Sequence, residues 1–317
     1  MVKKTILVVL SLVLIPSFTE AGLFAGPDIS YSFPVWSKDG SRIFYIKKVD
    51  HFKSTFLNFS SGPGEYIAKQ ECYIMSMRPD GSDKKVIIKF ITEEENHLPD
   101  IYNLLILPDG KQLIFFLLGK HEKLERCICK VNIDGTNLVK LLDFGEITRI
   151  PDLFVSPDGT KIAYTKERYG DENKDIIGSV FSSWLMDADG QNNYMVCGEA
   201  SEVKGWTTNG YLIISTYADS EGDAKLKYGN KAHTTYPEDV MDRTLIYDPT
   251  SKKLIKNIPH YFSSERIKSL GFVKYDTNIS PNGKKKLSTG FSNGPIYIED
   301  VDGKNEKILL EGKKHRN

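Results

Sequence analysis

The sequence predicts an all-β protein with the architecture of a β-propeller, a ring of four-stranded antiparallel blades. Three observations support this prediction. One pattern of strands and tight turns recurs five times along the chain, each unit carries two turn signals, and helical periodicity is nearly absent. A single unit would leave both of its apolar faces exposed, and packing several units into a ring buries them.

The first signal of each unit is a tight turn that follows a bulky apolar residue and precedes an apolar strand. The five segments are Trp36–Gly40, Ile106–Gly110, Val155–Gly159, Trp206–Gly210 and Ile279–Gly283. Four residues after the turn Asp or Asn come Ile43, Leu113, Ile162, Ile213 and Lys286. Asp-Gly and Asn-Gly tolerate the positive φ angles of tight hairpin turns. We expect the apolar columns, including Trp36 and Trp206, to face the core.

The second signal is an alternating strand that runs into another tight turn. It occurs at Ile74–Gly81, Ile128–Gly135, Ser183–Gly190, Thr244–Pro249 and Ile296–Gly303. A short apolar strand follows each of these turns, at Val86–Ile88, Val139–Leu142, Tyr194–Cys197, Leu254–Ile258 and Ile308–Leu310. Each unit is therefore predicted to be a meander of four strands, which is the pattern of a propeller blade.

Two of these segments resemble the WD40-like repeat of TolB-type propellers: Trp36-Ser37-Lys38-Asp39-Gly40, and the segment from Trp184 to Gly190. The resemblance covers roughly residues 30 to 312 and implies the propeller architecture while saying little about function. TolB carries an α/β domain ahead of its propeller, whereas here the first unit begins close to the N-terminus, and Lys286 replaces an apolar residue in the fifth unit. The family is typically six-bladed, so five and six blades are both compatible with the repeats.

The N-terminal segment has the layout of a secretory signal peptide. Lys3 and Lys4 precede an apolar run that extends to Phe18, and small residues precede a cleavage site after Ala21. The apolar run is shorter than the roughly 20 residues of a spanning helix and contains Pro16. We therefore expect a signal peptide over residues 1–21, a propeller domain over residues 22–317, a mature chain without a membrane span, and a periplasmic or secreted location.

Composition argues against several function classes. The chain has 42 Lys and Arg and 42 Asp and Glu residues, so no basic excess favours nucleic acid. The sequence predicts no cofactor, no metal site and no catalytic residues, because the six His share no close spacing and no acyl-transfer motif occurs. Export permits disulfides among the four Cys, although buried thiols are favoured, and Cys129 falls in an apolar column.

Candidate binding residues follow from the ring topology. Successive connections of a meander alternate ends, so all tight turns lie on one face of the ring, which we call the Asp-Gly face. The other connections lie on the opposite, long-loop face, and the longest are predicted at 49–70, 167–182 and 218–243. They carry aromatic and basic residues of the kind that binding surfaces favour: Phe52, Phe56, Phe59, Tyr66, Arg168, Tyr169, Tyr228, His233 and Tyr236. The alternative is that these rings only fold the loops onto the blade edges.

The sequence thus favours an exported binding or scaffold module whose partner is a protein of the cell envelope. A propeller enzyme, a lyase or hydrolase acting on polysaccharide or peptide, is the first alternative, and a sensor that binds a small ligand in the central channel is the second. The sequence does not indicate an oligomeric state.

Overall fold

A computed structural model of the chain describes residues 26–55, 64–92, 100–121, 124–144, 148–169, 179–198, 200–216, 243–259, 268–269, 278–289 and 294–313. The described residues form β-strands and the short turns and connections between them, and only residues 268–269 are helical. The predicted signal peptide lies outside them and stays a prediction.

The strands form five blades in chain order, and each is an antiparallel meander. Blade 1 has β1 (Asp28–Trp36), β2 (Ile43–Thr55), β3 (Gly64–Met77) and β4 (Lys85–Thr92), and blade 2 has β5 (Asp100–Ile106), β6 (Gln112–His121), β7 (Leu124–Asn132) and β8 (Val139–Asp143). Blade 3 has β9 (Thr148–Arg149), β10 (Leu153–Val155), β11 (Lys161–Tyr169), β12 (Ser179–Asp187) and β13 (Tyr194–Cys197). Blade 4 has β14 (Ser201–Trp206), β15 (Leu212–Thr216), β16 (Arg243–Asp248) and β17 (Lys253–Pro259), and blade 5 has β18 (Lys285–Thr289), β19 (Ile296–Asp300) and β20 (Lys307–Leu310).

The predicted fold class is confirmed: the protein is an all-β propeller with five blades. Each predicted turn signal joins two neighbouring strands of one sheet. Blade 5 differs from the others, because its first strand is represented in the described residues only by a bridge from Ile279 to Lys286. Lys286, the one charged residue in its column, sits at this bridge with its ammonium group close to Glu299 of the next strand.

The core lies between the blades. One cluster of buried side chains joins blades 1 and 2, a second joins blades 2 and 3, and a third joins blades 3 and 4. A fourth joins blade 5 to blade 1 through Trp36, Tyr45, Leu287 and Ile296, and so closes the ring between the chain ends. The expectation for the tryptophans is confirmed, since Trp36 is 5% exposed and Trp206 is 1% exposed.

Main-chain hydrogen bonds reinforce this closure. The Ile29 N–H donates to the Lys313 carbonyl at 2.7 Å, and the Lys313 N–H donates to the Ile29 carbonyl at 2.8 Å. Ile29 is also in register with Val49 on β2, so Lys313 lies along the other edge of β1. Because the first strands of neighbouring blades contact each other, this edge faces the ring axis. The C-terminal segment is thereby held at the long-loop face, where β1 begins.

Glycine is required at one turn by close approach of the blades. Gly135, in the second turn of blade 2, has φ +87°, and a Cβ atom there would lie 2.2 Å from the carbonyl oxygen of Ile87 in blade 1. Gly303 occupies the same position in blade 5, with φ +79° and nothing within 4 Å. The turn glycines thus provide a positive φ in every blade, and in some blades they also leave room for the neighbouring blade.

Candidate functional site

The candidate site is the first-blade hairpin, which we define as His51–Thr55 of β2 and Gly64–Lys69 of β3. The sequence assigned residues 49–70 to a loop, and this was wrong, because β2 continues to Thr55 and β3 begins at Gly64. Of the predicted site residues, Phe52 lies on β2 in register with Ile67, and Tyr66 lies on β3 in register with Lys53. Phe52 is half-buried, and Phe56 and Phe59 lie outside the described residues.

The same correction applies to blade 3. The predicted loop at 167–182 is strand at both ends, since β11 continues to Tyr169 and β12 begins at Ser179, and residues 170–178 lie outside the described residues. Arg168 and Tyr169 therefore lie on a strand, with Arg168 exposed and in register with Val180. Of the third predicted loop only its last residue, Arg243, is described, at the start of β16. Tyr228, His233 and Tyr236 lie outside the described residues.

The hairpin was missed because polar residues stand at both alternating sets of positions in its sequence, which therefore lacks the apolar alternation that marks a half-buried strand. The signal that could have located it is the run Ser60-Ser61-Gly62-Pro63-Gly64, a cluster of turn-forming residues in the middle of the predicted loop. Placing the turn there makes the flanking residues the two arms of one hairpin.

The described strands of the first-blade hairpin continue further towards the long-loop face than those of blades 2 and 3. Ile43, Leu113 and Ile162 stand at equivalent levels, and from there β2 continues to Thr55, whereas β6 ends at His121 and β11 at Tyr169. The difference is four to five residues, or about 13–17 Å at the rise of a strand. Among the described strands, those of blade 1 therefore reach furthest on this face.

A polar layer lies below the hairpin, on the side of blade 1 that faces blade 2. The Lys48 ammonium is 3.2 Å from Asp100 Oδ2, and the Tyr102 hydroxyl donates to the same oxygen at 2.9 Å. Gln70 Nε2 donates to Asp50 Oδ1 at 2.5 Å. Burial alone would lower the pKa of Lys48, but the carboxylates of Asp100 and Asp50 outweigh it and raise that pKa. These groups satisfy one another and tie the base of the hairpin to the next blade.

The opposite side of blade 1, towards blade 5, carries a second polar group centred on Glu71. Its carboxylate accepts a hydrogen bond of 2.7 Å from the Tyr73 hydroxyl and lies 3.1 Å from the Lys69 ammonium and 3.4 Å from the Lys89 ammonium. Burial would raise the pKa of Glu71, but the hydrogen bond from Tyr73 and the two ammonium groups outweigh it and lower the pKa to about 2. His51 Nε2 is 3.8 Å from the same carboxylate.

On the Asp-Gly face the carboxylates are structural. In the first turn of blade 1, Asp39 accepts hydrogen bonds from the Ser37 and Ser41 side chains and from the Ser41 N–H, which lower its pKa to about 2. In the second turns of blades 1, 2, 3 and 5, another residue with positive φ lies two residues after the glycine. It was not predicted from the sequence. These residues are Asp83, Asn137, Asn192 and Asn305. Asp and Asn tolerate this conformation better than other side chains, so the signal was present in the sequence.

The cysteines form no disulfide in the structure. Cys72, Cys127 and Cys129 are buried, and Cys197 is half-buried. Within the described ranges, no group of three or more His, Cys, Asp or Glu side chains could hold a metal ion. No helix in that part of the chain has the length and apolar character needed to cross a bilayer.

No protein-family model matches the sequence, and a search among curated proteins finds no match. Solved structures do match. TolB from Acinetobacter baumannii is 12% identical with a TM-score of 0.40, and the match covers 90% of this chain and 53% of that one. An oligogalacturonate lyase from Vibrio parahaemolyticus is 17% identical with a TM-score of 0.44, covering 86% of this chain and 66% of the other. The chain therefore spans less than two thirds of either protein.

A putative TolB from Agrobacterium tumefaciens is 12% identical with a TM-score of 0.38, and the match covers 92% of both chains. At these identities and scores the comparisons say nothing about activity. The propeller itself is established by the five antiparallel sheets and the clusters between them. The chain is a five-bladed β-propeller, and TolB-like propellers are among the solved structures that it resembles.

Proposed function

We propose that the protein is a binding module whose partner, a protein of the cell envelope, docks on the long-loop face at the first-blade hairpin. The observation that carries the proposal is the length of this hairpin: its described strands continue four to five residues, or about 13–17 Å, beyond those of blades 2 and 3. A structural role inside the ring needs no such extension, because the inter-blade clusters that involve blade 1 lie below it.

The base of the hairpin supports this role. Lys48 and Gln70 hold it through hydrogen bonds to Asp100 and Asp50, so the projecting arms start from an ordered platform. Binding elements held by a rigid scaffold lose little conformational entropy when a partner docks. Phe52 and Ile67, which are in register on the two arms, supply half-buried apolar contact area for that partner.

Site-specific photo-crosslinking in the native cell tests this proposal. A photoreactive phenylalanine analogue replaces Phe52 in one variant and Ile133 in a second, and the full-length protein is irradiated in intact cells. Ile133 is an exposed apolar residue in a turn of the Asp-Gly face and serves as the matched control. We expect a discrete protein adduct from position 52 and none from position 133. The reverse pattern, or the same adduct from both positions, would overturn the proposal.

A shortened hairpin provides the second test. Residues 51–69 are replaced by Asn-Gly. This two-residue turn connects Asp50 to Gln70, its partner in register. A two-residue Asn-Gly turn matches the twist of the strands and preserves the base of the hairpin. We expect the variant to fold and to lose the partner identified by crosslinking. Retention of that partner at wild-type affinity would contradict the proposal.

A further inference from the structure

One row of side chains crosses all four strands of blade 1 on the side facing blade 5. Tyr31 is in register with Lys47, Lys47 with Tyr73, and Tyr73 with Lys89. We call these four residues the Tyr–Lys row. The Lys47 ammonium is 5.5 Å from the centre of the Tyr73 ring, and the Lys89 ammonium is 5.0 Å from it, so the ring lies between two cations.

The row is partly accessible: Tyr31, Lys47 and Tyr73 are half-buried and Lys89 is exposed. Lys286 of β18 stands at the level of Ile43, and β18 ends at Thr289, one residue short of the level of Lys47. In blade 2, the residues at the positions of Lys47 and Tyr73 are Leu117 and Cys127, and both are 0% exposed. Blade 1, with its long strands, covers that part of blade 2.

The charge of this surface is not balanced within the blade. Lys47, Lys69 and Lys89 contribute three positive charges, and Glu71 contributes one negative charge, which leaves two positive charges. The Lys47 ammonium lies against the Tyr73 ring, and its side chain is half-buried. Surfaces of this kind attract carboxylates, and electrostatic complementarity sets partner choice more than raw affinity.

The neighbouring row decides which class of anionic ligand fits. Next to the Tyr–Lys row lies a second row of four residues in register, Ile29, Val49, Glu71 and Ile91. Three of these four side chains are apolar. Ile91 is 37% exposed. A polysaccharide presents many hydroxyl groups that need polar partners, which the apolar residues of this row lack. An acidic peptide segment, which can combine carboxylates with apolar side chains, matches both rows.

We propose that the Tyr–Lys row binds an acidic peptide segment, with Lys47 and Lys89 pairing its carboxylates and the Tyr73 ring packing between them. This inference rests on the proposed binding function, because it assigns a chemistry to the partner that docks on the long-loop face. Neighbouring strands are about 4.8 Å apart, so Lys47 and Lys89, two strands apart, can pair carboxylates separated by about 10 Å. In an extended peptide that distance corresponds to residues about three apart.

Binding of fluorescein-labelled octaglutamate, measured by fluorescence anisotropy at low salt, tests the proposal. Octaserine is the uncharged control, and an oligouronate of eight residues represents the acidic polysaccharides. We expect octaglutamate to bind and octaserine not to bind. Lys47→Gln and Lys89→Gln should each weaken octaglutamate binding by about 2- to 5-fold, as expected for partly exposed ion pairs.

Lys166→Gln is the matched control, because Lys166 holds the position of Lys47 in blade 3 and its ammonium lies 5.2 Å from the Trp184 ring. We expect this variant to bind octaglutamate like the wild type. Equal losses in the Lys47, Lys89 and Lys166 variants would overturn the proposal, as would tighter binding of the oligouronate than of octaglutamate.

Failure of this inference can be told apart from failure of the proposed function. The shortened-hairpin variant keeps the Tyr–Lys row but lacks Lys69, so it should still bind octaglutamate, about 2- to 5-fold more weakly than the wild type, even though it loses the natural partner. If Lys47→Gln and Lys89→Gln both leave the crosslinked partner bound at wild-type affinity, the row is not its docking site, while the hairpin can still be. If the shortened variant keeps the partner and the Lys variants lose it, the proposed hairpin site fails instead.

Discussion

Trp36 and Trp206 occupy the same position in blades 1 and 4 but differ in one hydrogen bond, which makes them a matched pair. Trp36 Nε1 donates to the Asn278 carbonyl of blade 5 at 3.1 Å, across the contact that closes the ring. Trp206 Nε1 is buried and has no hydrogen-bond partner among the residues that the structure describes. Both rings are almost fully removed from solvent.

Replacing either tryptophan by Ala should lower the free energy of unfolding by about 3–5 kcal/mol, because each substitution leaves a large cavity between blades. Replacement by Phe keeps most of the ring, so the cavity costs of the two Phe variants are similar. Trp36→Phe also loses a hydrogen bond with a net value of about 0.5–1.5 kcal/mol. Trp206→Phe removes a buried donor that has no acceptor, which offsets part of its cavity cost. We therefore expect Trp36→Phe to be the less stable variant by about 1 kcal/mol or more.

Urea unfolding followed by far-ultraviolet circular dichroism measures these differences, because its signal comes mainly from the backbone. Two results would refute the reasoning. A loss below about 1 kcal/mol in either Ala variant would show that the column does not pack as a core position. A Trp206→Phe variant that is as destabilised as Trp36→Phe would show that the hydrogen bond to blade 5 contributes nothing to ring closure.

Three further predictions concern packing, pH and export. Gly135→Ala should lower the free energy of unfolding by at least about 2 kcal/mol more than Gly303→Ala does. Both variants strain a positive φ, but only the Cβ at position 135 also meets a backbone oxygen. Equal urea midpoints for the two variants would contradict this. Because the pKa of Glu71 is lowered to about 2 from an ordinary 4.5, its ionised form stabilises the fold above about pH 4.5, and this stabilisation is lost as the pH falls towards 2. The stability difference between wild type and Glu71→Gln should therefore shrink over that interval, and a constant difference would argue against the assignment. The exported protein should begin near Gly22, and an intact Met1 on N-terminal sequencing of material from the native cell would rule out a removed signal.

Several features of the protein could be predicted from the sequence because they depend on local chemistry. Asp-Gly and Asn-Gly turns need positive φ at defined positions, and strands that pack on both faces need apolar residues in fixed columns, so the five meanders and the buried positions of Trp36 and Trp206 were predictable. The same local logic extends to Asp83 and the equivalent asparagines, which could have been identified as a further signal in the second turns of blades 1, 2, 3 and 5.

How much of each blade is covered by the adjacent blade was decided only by the tertiary structure. Lys47 and Tyr73 occupy the positions that hold Leu117 and Cys127 in blade 2, yet one pair is partly open and the other is fully buried. Exposure at these positions depends on how the adjacent blade packs, and for blade 1 that neighbour is blade 5, which is distant in sequence. The hydrogen bond between Trp36 and residue 278 likewise joins the first and last blades, which are far apart in sequence. Turns and strands follow from interactions over a few residues, whereas a surface between blades is created by residues that only the closed ring brings together.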